Sequence, residues 1–317
     1  MNGWIILDKP LGLGSTQGVS AVKRALRTGG YPKVKVGHGG TLDPLATGVL
    51  PIALGEATKL AGRMLESDKV YEFTVQFGTE TDTLDAEGVV IGESDLRPSL
   101  AEVEAALPRF TGPISQIPPA YSALKVDGQR AYDLARAGEE VVLEERAVVI
   151  RTLAIRRPRE GGGLPIIAPS ADHTGPRLCG GDSMDSLTLT AHVSKGTYIR
   201  SLARDIALAL GTVGHVAMLR RTKAGPFSLE QAISLDKLDE CAKDGTLEAC
   251  LLPLRAALDD IPVLALSPDQ ADALRVGRPL NGIAAPSGLA FAQFGDTLIA
   301  LVQITDGLVT VERGFNL

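Results

Sequence analysis

Three residues, far apart in the chain, have side chains that could act on a sugar or a base. Asp43 lies in a glycine-rich loop at 37–51, where Pro44 restricts the backbone, so its carboxylate is expected on a stiff bend. Tyr71 falls on the apolar side of an alternating stretch that predicts a strand. Arg200 falls in the first turn of a predicted helix, where the helix dipole disfavours a cation and favours an anionic partner.

The chemistry of these three groups is compatible with a single site. An ionised Asp beside a sugar can attack or stabilise the anomeric carbon. A Tyr stacked on a base can hold it and share in proton transfer, and a bidentate Arg–Asp pair keeps the carboxylate ionised. Each residue also has a structural interpretation, as an Asx turn, a core tyrosine or a paired cation, and spacing alone does not join them.

The composition describes a globular chain long enough for two domains. The sequence has 317 residues, 44% of them hydrophobic, and no apolar run approaches the roughly 18 residues of a membrane span. The start, MNGWIILDKP, does not resemble a signal peptide, because Asp8 and Lys9 interrupt a short apolar stretch. Cys179, Cys241 and Cys250 have neither disulfide nor zinc spacing, so we expect a reduced, cytoplasmic setting and no structural metal.

The distribution of charge matters more than the net charge of −6, because a local basic face can coexist with an acidic chain. Cations cluster, against Asp205 alone, at Lys195, Arg200, Arg204, Arg220, Arg221 and Lys223. A predicted arm at 116–142 carries Tyr121, Lys125 and Arg130. Tyrosines beside cations can stack on bases and contact phosphates; packed tyrosines and a solvated charged face are the alternatives.

Hydrophobic periodicity predicts most of the elements of the first 257 residues. Strands are expected at 3–9, 70–77, 147–157, 187–193 and 215–223, and helices at 53–64 and 199–210. A further helix is expected to be capped by Ser15 or Thr16 and to end at Gly29 and Gly30. Another begins with a capping box formed by Ser99 and Glu102, and buries Leu100, Val103 and Leu107.

Three other segments differ from this pattern in composition and in hydrophobic periodicity. The arm at 116–142 is predicted to be extended and then to form a short helix that stops at Gly138. Residues 158–186 are rich in Gly and Pro without a hydrophobic period, which predicts a mobile hairpin insertion. After a boundary near 258, strands at 290–294, 297–304 and 308–313 and a helix at 268–276 predict a small β-rich domain.

Seven stretches, in order from residue 7 to residue 221, resemble the TruB family of bacterial tRNA pseudouridine synthases. They are LDKP at 7–10, GHGGTLDPLATGVLPIALGEATK at 37–59, DKVY at 68–71, GTETDTLDAEG at 78–88, QIPPAYSALKVDGQRAYDLARAG at 116–138, SKGTYIRSLARD at 194–205 and HVAMLRR at 215–221. The resemblance implies an α+β pseudouridine synthase fold in 1–257, with a central mixed, mostly antiparallel sheet flanked by helices. Residues 258–317 resemble that family's small PUA-like RNA-binding domain.

The resemblance also implies a role for each candidate residue. Asp43 is expected to be the catalytic nucleophile, Arg200 its ionic partner, and Tyr71 the residue that stacks on the flipped uracil and shares proton transfer at C5. The uridine pocket would be lined by His38, Tyr198 and Leu219. RNA contacts would come from Tyr121, Lys125 and Arg130 in the finger at 116–142, and from Lys195 and Arg220.

The implied activity is isomerisation of uridine 55 in the TΨC loop of tRNA, with no metal or cofactor. The expected partner is the T-arm of tRNA, and the protein is expected to be a cytoplasmic monomer without membrane contact or obligate protein partner. A non-catalytic tRNA-binding or tRNA-folding chaperone is the alternative. A glycosidase would need a second carboxylate about 5–10 Å from Asp43, and the candidates Asp85 and Glu87 lie in a turn expected outside the pocket.

Two departures from the family pattern leave these roles intact. Gly14 and Ser15 stand where paired small hydroxyl residues are usual, and Gly39 stands where Thr or Ala is common. The insertion at 158–186 is longer than the usual hairpin, and we expect it to be a neutral surface segment.

Overall fold

The computed structural model describes residues 1–122, 124–126, 129–130, 143–156, 178–179 and 183–317. The strands are β1 (Gly3–Lys9), β2 (Val36–His38), β3 (Ala46–Leu54), β4 (Lys69–Phe77), β5 (Thr79–Thr81), β6 (Val90–Glu93), β7 (Gly112–Gln116), β8 (Lys125–Val126), β9 (Gln129–Arg130), β10 (Arg146–Ile155), β11 (Leu178–Cys179), β12 (Ser183–Met184), β13 (Ser186–Val193), β14 (Gly214–Ala224), β15 (Phe227–Ser228), β16 (Val263–Ala265), β17 (Gly288–Phe294), β18 (Thr297–Thr305) and β19 (Leu308–Gly314). The α-helices are α1 (Ser15–Thr28), α2 (Ala61–Glu66), α3 (Leu100–Ala106), α4 (Ile199–Ala209), α5 (Leu235–Lys243) and α6 (Pro268–Arg275). Short 3-10 helices cover Gly55–Leu60, Leu107–Phe110, Leu229–Gln231, Leu247–Cys250 and Leu254–Ala257.

The chain forms two compact units. The first comprises Met1–Asp43, Gly48–Leu65 and Ala224–Leu317, and the second comprises Pro44–Thr47 and Glu66–Lys223. The first unit joins N-terminal and C-terminal segments, so the units do not correspond to the two domains predicted from the sequence. The domain boundary between 257 and 258 therefore stays a prediction.

In the first unit, β1 pairs antiparallel with β3, and both faces of the pair are buried. Trp4 and Ile6 point into a core with Phe227 and Leu254, whereas Ile5 and Leu7 point to the opposite face. That second face is covered by apolar residues of α1 and α5. Because successive strand residues point to opposite faces, burial of both faces explains the unbroken apolar run WIIL in β1.

The C-terminal part of the first unit is a four-stranded sheet in the order β16–β17–β18–β19. The pair β16–β17 is parallel and the other two pairs are antiparallel. Helix α6 packs Ala271 and Leu274 against the buried residues of this sheet. The three predicted strands and the helix are confirmed, with bounds shifted by one or two residues.

The second unit contains strands in the order β14–β4–β13–β10–β7. The pairs β4–β13, β13–β10 and β10–β7 are antiparallel. On β4, Phe73, Val75 and Phe77 are buried, as the alternation predicts, and α4 packs on this strand. Sheets whose pairs are mostly antiparallel, with β16–β17 parallel, and the helices that flank them confirm the predicted α+β class.

Three local predictions are corrected. The helix predicted at 53–64 is wrong over its first part, because Ala53 and Leu54 end β3 and a 3-10 helix precedes α2. Gly55 has φ +58°, a left-handed conformation that ends the strand and opens the 3-10 turn. Helix α1 starts at Ser15 with Gly14 as its N-cap, one residue earlier than a cap at Ser15. The Ser99–Glu102 capping box is confirmed, but Leu100 is 41% exposed, because its helix buries Val103 instead.

The end of the segment at 158–186, predicted to be a mobile hairpin insertion, forms two paired antiparallel strands. Strands β11 and β12 pair through Leu178 and Met184, and the Met184 amide donates to the Pro98 carbonyl at 3.0 Å. Met184 is buried. The rest of this segment, and the helix predicted to stop at Gly138, lie outside the described residues. Among the described helices, none is long and apolar enough to cross a membrane.

Candidate active site

Asp43 lies between β2 and β3 and is half-buried. The loop that carries it is anchored by the Gly39 amide, which donates to the Pro51 carbonyl at 2.8 Å, and by two hydrogen bonds between Leu42 and Ser15. The glycines of this loop have different reasons to be there. Gly48 has φ +99°, whereas a Cβ on Gly39 would lie 2.7 Å from the Cβ of Met64. The departure at residue 39 thus has a steric explanation.

Tyr71 lies near the start of β4, opposite Ala191 on β13, and is half-buried. It shares its strand face with Phe73 and with Lys69, which is 7% exposed. Burial, and next the charge of Arg221, lower the pKa of Lys69 to about 8, against the opposing effect of two neighbouring carboxylates. The face that presents Tyr71 therefore also holds a buried amine.

Arg200 is 6% exposed at the start of α4, and its partner there is Asp85. Its Nη1 donates to Asp85 Oδ2 at 3.2 Å and to the Thr83 carbonyl at 3.0 Å, and its Nη2 donates to the Tyr121 carbonyl at 3.0 Å. The sequence predicted an anionic partner for this cation, and the carboxylate of Asp85 confirms that prediction. The guanidinium plane is held in one orientation by three acceptors.

Asp85 holds Arg200, a role for which the sequence analysis gave no indication. Its side chain is 5% exposed, and its Oδ1 accepts from Thr83 Oγ1 at 2.6 Å and from the Glu87 amide at 3.1 Å. Leu84 beside it has φ +61°, a strained conformation for a side chain of this size. The signal that could have found it was the motif at 78–88, which was noted for its resemblance but given no role.

Of the predicted finger at 116–142, the structure describes residues 116–122, 124–126 and 129–130. The Tyr121 hydroxyl donates to Asp82 Oδ2 at 3.3 Å, while its carbonyl accepts from Arg200. The backbone of Lys125 on β8 lies opposite that of Arg130 on β9, and the structure describes only the backbone of these two residues. Of these three predicted RNA-binding residues, the structure brings Tyr121 to Arg200.

The predicted pocket residues lie on strands and at a helix start. Tyr198 is the N-cap of α4, and its amide donates to Gln116 Oε1 at 3.2 Å. Leu219 is buried on β14, and its neighbour Arg220 donates to Thr47 Oγ1 at 3.3 Å. His38 ends β2, opposite Ile52 on β3. Their contact with a uridine stays a prediction.

Cations of the basic cluster form ion pairs with carboxylates, some of which lie far away in the sequence. Lys195 forms an ion pair with Glu66, and both side chains are exposed. Arg204 pairs with Asp205 at 2.8 Å. Burial raises the pKa of Asp205, although the charge of Arg204 acts in the opposite direction. The acids that pair with Lys195 and Arg200 come from more than a hundred residues away.

The candidates divide between the two units. Asp43 and His38 belong to the first, and Tyr71, Tyr198, Arg200 and Leu219 belong to the second. The pairing of Asp43 with Arg200 therefore stays a prediction. The part of the chain that the structure describes contains no group of three or more His, Cys, Asp or Glu placed to hold a metal ion.

Two family models match this chain in succession. Residues 23–199 match the TruB family pseudouridylate synthase N-terminal domain, and residues 200–259 match the tRNA pseudouridylate synthase B C-terminal domain.

Curated relatives are similar over the whole length. A tRNA pseudouridine synthase B of Novosphingobium aromaticivorans is 60% identical, with 100% of this chain and 98% of the relative aligned. One of Zymomonas mobilis is 57% identical, with 100% and 96% aligned. Among solved structures, a crystal structure of a Cbf5–Nop10–Gar1 complex matches with a TM-score of 0.70 and 25% identity, over 99% of this chain and 85% of that one. The chain therefore belongs to the TruB family of pseudouridylate synthases.

Proposed function

We propose that this pseudouridylate synthase isomerises uridine 55 in the TΨC loop of tRNA. The substrate class is supported by the relatives of 60% and 57% identity, which are named tRNA pseudouridine synthase B. The observation that carries the site is the buried Arg200, fixed by Asp85, Thr83 and Tyr121 at the start of α4. A guanidinium fixed in this way needs no reorganisation during a reaction, which suits a catalytic centre.

The proposed reaction starts with extrusion of the target nucleotide from its stack, at a cost of a few kcal/mol. Asp43 then assists cleavage of the C1′–N1 bond, either by attack on the ribose or through a glycal. The uracil rotates, C5 joins C1′, the proton leaves C5, and N1 ends protonated. Tyr71 stacks on the uracil and shares the proton transfer at C5, and His38, Tyr198 and Leu219 line the pocket.

RNA binding is assigned to four cations and one tyrosine. We assign it to Tyr121, Lys125, Arg130, Lys195 and Arg220, together with a PUA-like C-terminal sheet. The exposed pair of Lys195 and Glu66 supports this assignment, because a phosphate can replace a solvated carboxylate at little cost. We further propose a cytoplasmic monomer without an obligate protein partner, which analytical ultracentrifugation with and without tRNA tests.

The deciding experiment is tritium release from a tRNA transcript labelled at C5 of uridine. The wild-type protein should release the label from one uridine per transcript, and the release should be lost when uridine 55 is replaced by cytidine. Asp43→Asn should bind the transcript and release no label. A wild-type protein that binds tRNA without releasing tritium would instead be the non-catalytic chaperone.

A further inference from the structure

Ser15 and Leu42 are 27 residues apart in sequence and are joined by two hydrogen bonds. The Ser15 Oγ donates to the Leu42 carbonyl at 2.9 Å and accepts from the Leu42 amide at 2.7 Å. Ser15 is 5% exposed and Leu42 is 4% exposed. One hydroxyl thus satisfies both backbone polar groups of a single buried residue, which a methyl group would leave without these partners.

Leu42 is the residue directly before Asp43. Two bonds on one residue restrain the peptide units on both of its sides, and one of these units leads into Asp43. On the other side, Pro44 has a fixed φ and disfavours the α region for Asp43. The backbone of Asp43 is therefore restrained from both directions, and the restraint before it comes from a side chain.

Ser15 is itself held firmly, because it is the first residue of α1. The Gly14 amide before it donates to Gln17 Oε1 at 2.6 Å, and the turn that leads there is tied by Lys9 Nζ to the Leu13 carbonyl at 2.6 Å. The helix buries Val22 and Leu26 in the core under β1 and β3. A rigid element thus carries the hydroxyl to the loop, as a positioning group requires.

We propose that Ser15 is a positioning residue for Asp43, acting through the backbone of Leu42. The Ser15 hydroxyl both donates to the Leu42 carbonyl and accepts from the Leu42 amide, whereas the methyl group of alanine can do neither. The departure at residue 14 is consistent with this, since Gly14 supplies no hydroxyl and Ser15 keeps the one that reaches the loop. The inference rests on the proposed function, because positioning matters only if Asp43 acts on the nucleotide.

The test compares Ser15→Ala, Ser15→Thr and the control Ser20→Ala, whose wild-type hydroxyl donates to the Thr16 carbonyl within the same helix. Single-turnover tritium release at saturating enzyme should fall about tenfold to hundredfold in Ser15→Ala, because small misplacements of a catalytic group have effects of this size. The tRNA dissociation constant should stay within about twofold in all three. Ser15→Thr, which keeps the hydroxyl, should recover most of the rate, and Ser20→Ala should match the wild type.

A rate in Ser15→Ala within about twofold of the wild type would overturn the inference, and so would a Ser15→Thr variant as slow as Ser15→Ala. If Ser15→Ala does not fold, Ser15→Cys decides, because its weak thiol donor keeps the volume but loses the strong bonds. A slower rate at an unchanged melting temperature supports the role, and an unchanged rate overturns it. Asp43→Asn separates the two levels. A wild type that releases no tritium removes the proposed function, and wild-type activity in Asp43→Asn removes the catalytic assignment of Asp43. An inactive Asp43→Asn beside a normal Ser15→Ala removes only the role of Ser15.

Discussion

Lys195 and Arg200 lie five residues apart, and each is paired with a carboxylate, but their surroundings are opposite. The side chains of Lys195 and Glu66 are 60% and 62% exposed, whereas those of Arg200 and Asp85 are 7% and 5% exposed. An exposed pair contributes little and can exchange its partner, while a buried pair cannot lose one member without leaving a charge in the interior. One short stretch thus presents a replaceable cation and a fixed one.

The largest expected effect is on the fixed pair. Asp85→Ala removes the buried carboxylate that pairs with the Arg200 guanidinium, and should lower the free energy of unfolding by roughly 3 kcal/mol. Urea denaturation measures it, with Glu87→Gln as the matched control, because Glu87 is exposed in the same turn and contributes its amide rather than its carboxylate. A loss below about 1 kcal/mol would place Arg200–Asp85 with the weak surface pairs.

A second test concerns the shape of the cation. Arg200→Lys keeps the charge but cannot reproduce bonds from both Nη1 and Nη2 to three separate acceptors. Single-turnover tritium release should fall at least about tenfold, while tRNA affinity should change less than about threefold. A loss confined to affinity would make Arg200 a phosphate clamp and remove its catalytic assignment.

Lys69 extends the comparison to a cation buried as deeply as Arg200, but with a pKa lowered to about 8. Because its folded-state pKa lies below the unfolded value, the unfolded chain binds the extra proton between about pH 8 and 10.5. This amine therefore destabilises the fold below pH 8, by an amount on the order of 3 kcal/mol, and the penalty fades as the pH rises.

The measurement is the difference in unfolding free energy between Lys69→Met and wild type, at pH 7 and at pH 10. The difference should favour Lys69→Met at pH 7 and shift towards wild type at pH 10. A difference independent of pH would mean that the Lys69 ammonium is as well compensated as the Arg200 guanidinium. Arg221, Asp68 and Glu66 are the charges that would then account for it.

The smallest effects are expected at the exposed pair. Lys195→Ala should change the unfolding free energy by less than about 0.5 kcal/mol. It should reduce the slope of log affinity for tRNA against log salt by about 0.7–0.9. Glu66→Gln should act in the opposite direction and tighten tRNA binding, since it removes the carboxylate that competes with phosphate. If Lys195→Ala and Glu66→Gln change the affinity for tRNA in the same direction and by the same factor, Lys195 does not contact RNA.

Local pattern was sufficient for most of the elements. The alternation from Val70 to Phe77, the spacing of Ile199, Leu202 and Ile206, and the Ser99–Glu102 capping box each depend on neighbours within one or two turns. Prediction failed where a distant partner overrode the local preference. Ala53 and Leu54 are good helix residues, but the register of β3 with β1 continues to Leu54.

The site was predictable in its residue types and not in its contacts. Motif resemblance selected Asp43, Tyr71 and Arg200, and the dipole argument correctly required an anionic partner for Arg200. It did not identify Asp85, because Asp85 precedes Arg200 by 115 residues. Nothing in the sequence of its turn indicates that its carboxylate is buried against that guanidinium. The hydroxyl of Ser15 was likewise expected to cap its own helix and bonds to the loop instead.

The sequence by itself determined the α+β class, the family, and which side chains can carry the chemistry, because these follow from periodicity and from motifs that are continuous in the chain. Only the tertiary structure decided which cation is fixed and which is replaceable, and which hydroxyl holds the loop before Asp43. The physical reason is that burial and hydrogen-bond partners depend on residues brought together from distant positions. Lys195 and Arg200 are alike in charge and close in sequence, but the fold gives only one of them a dry environment and three fixed acceptors.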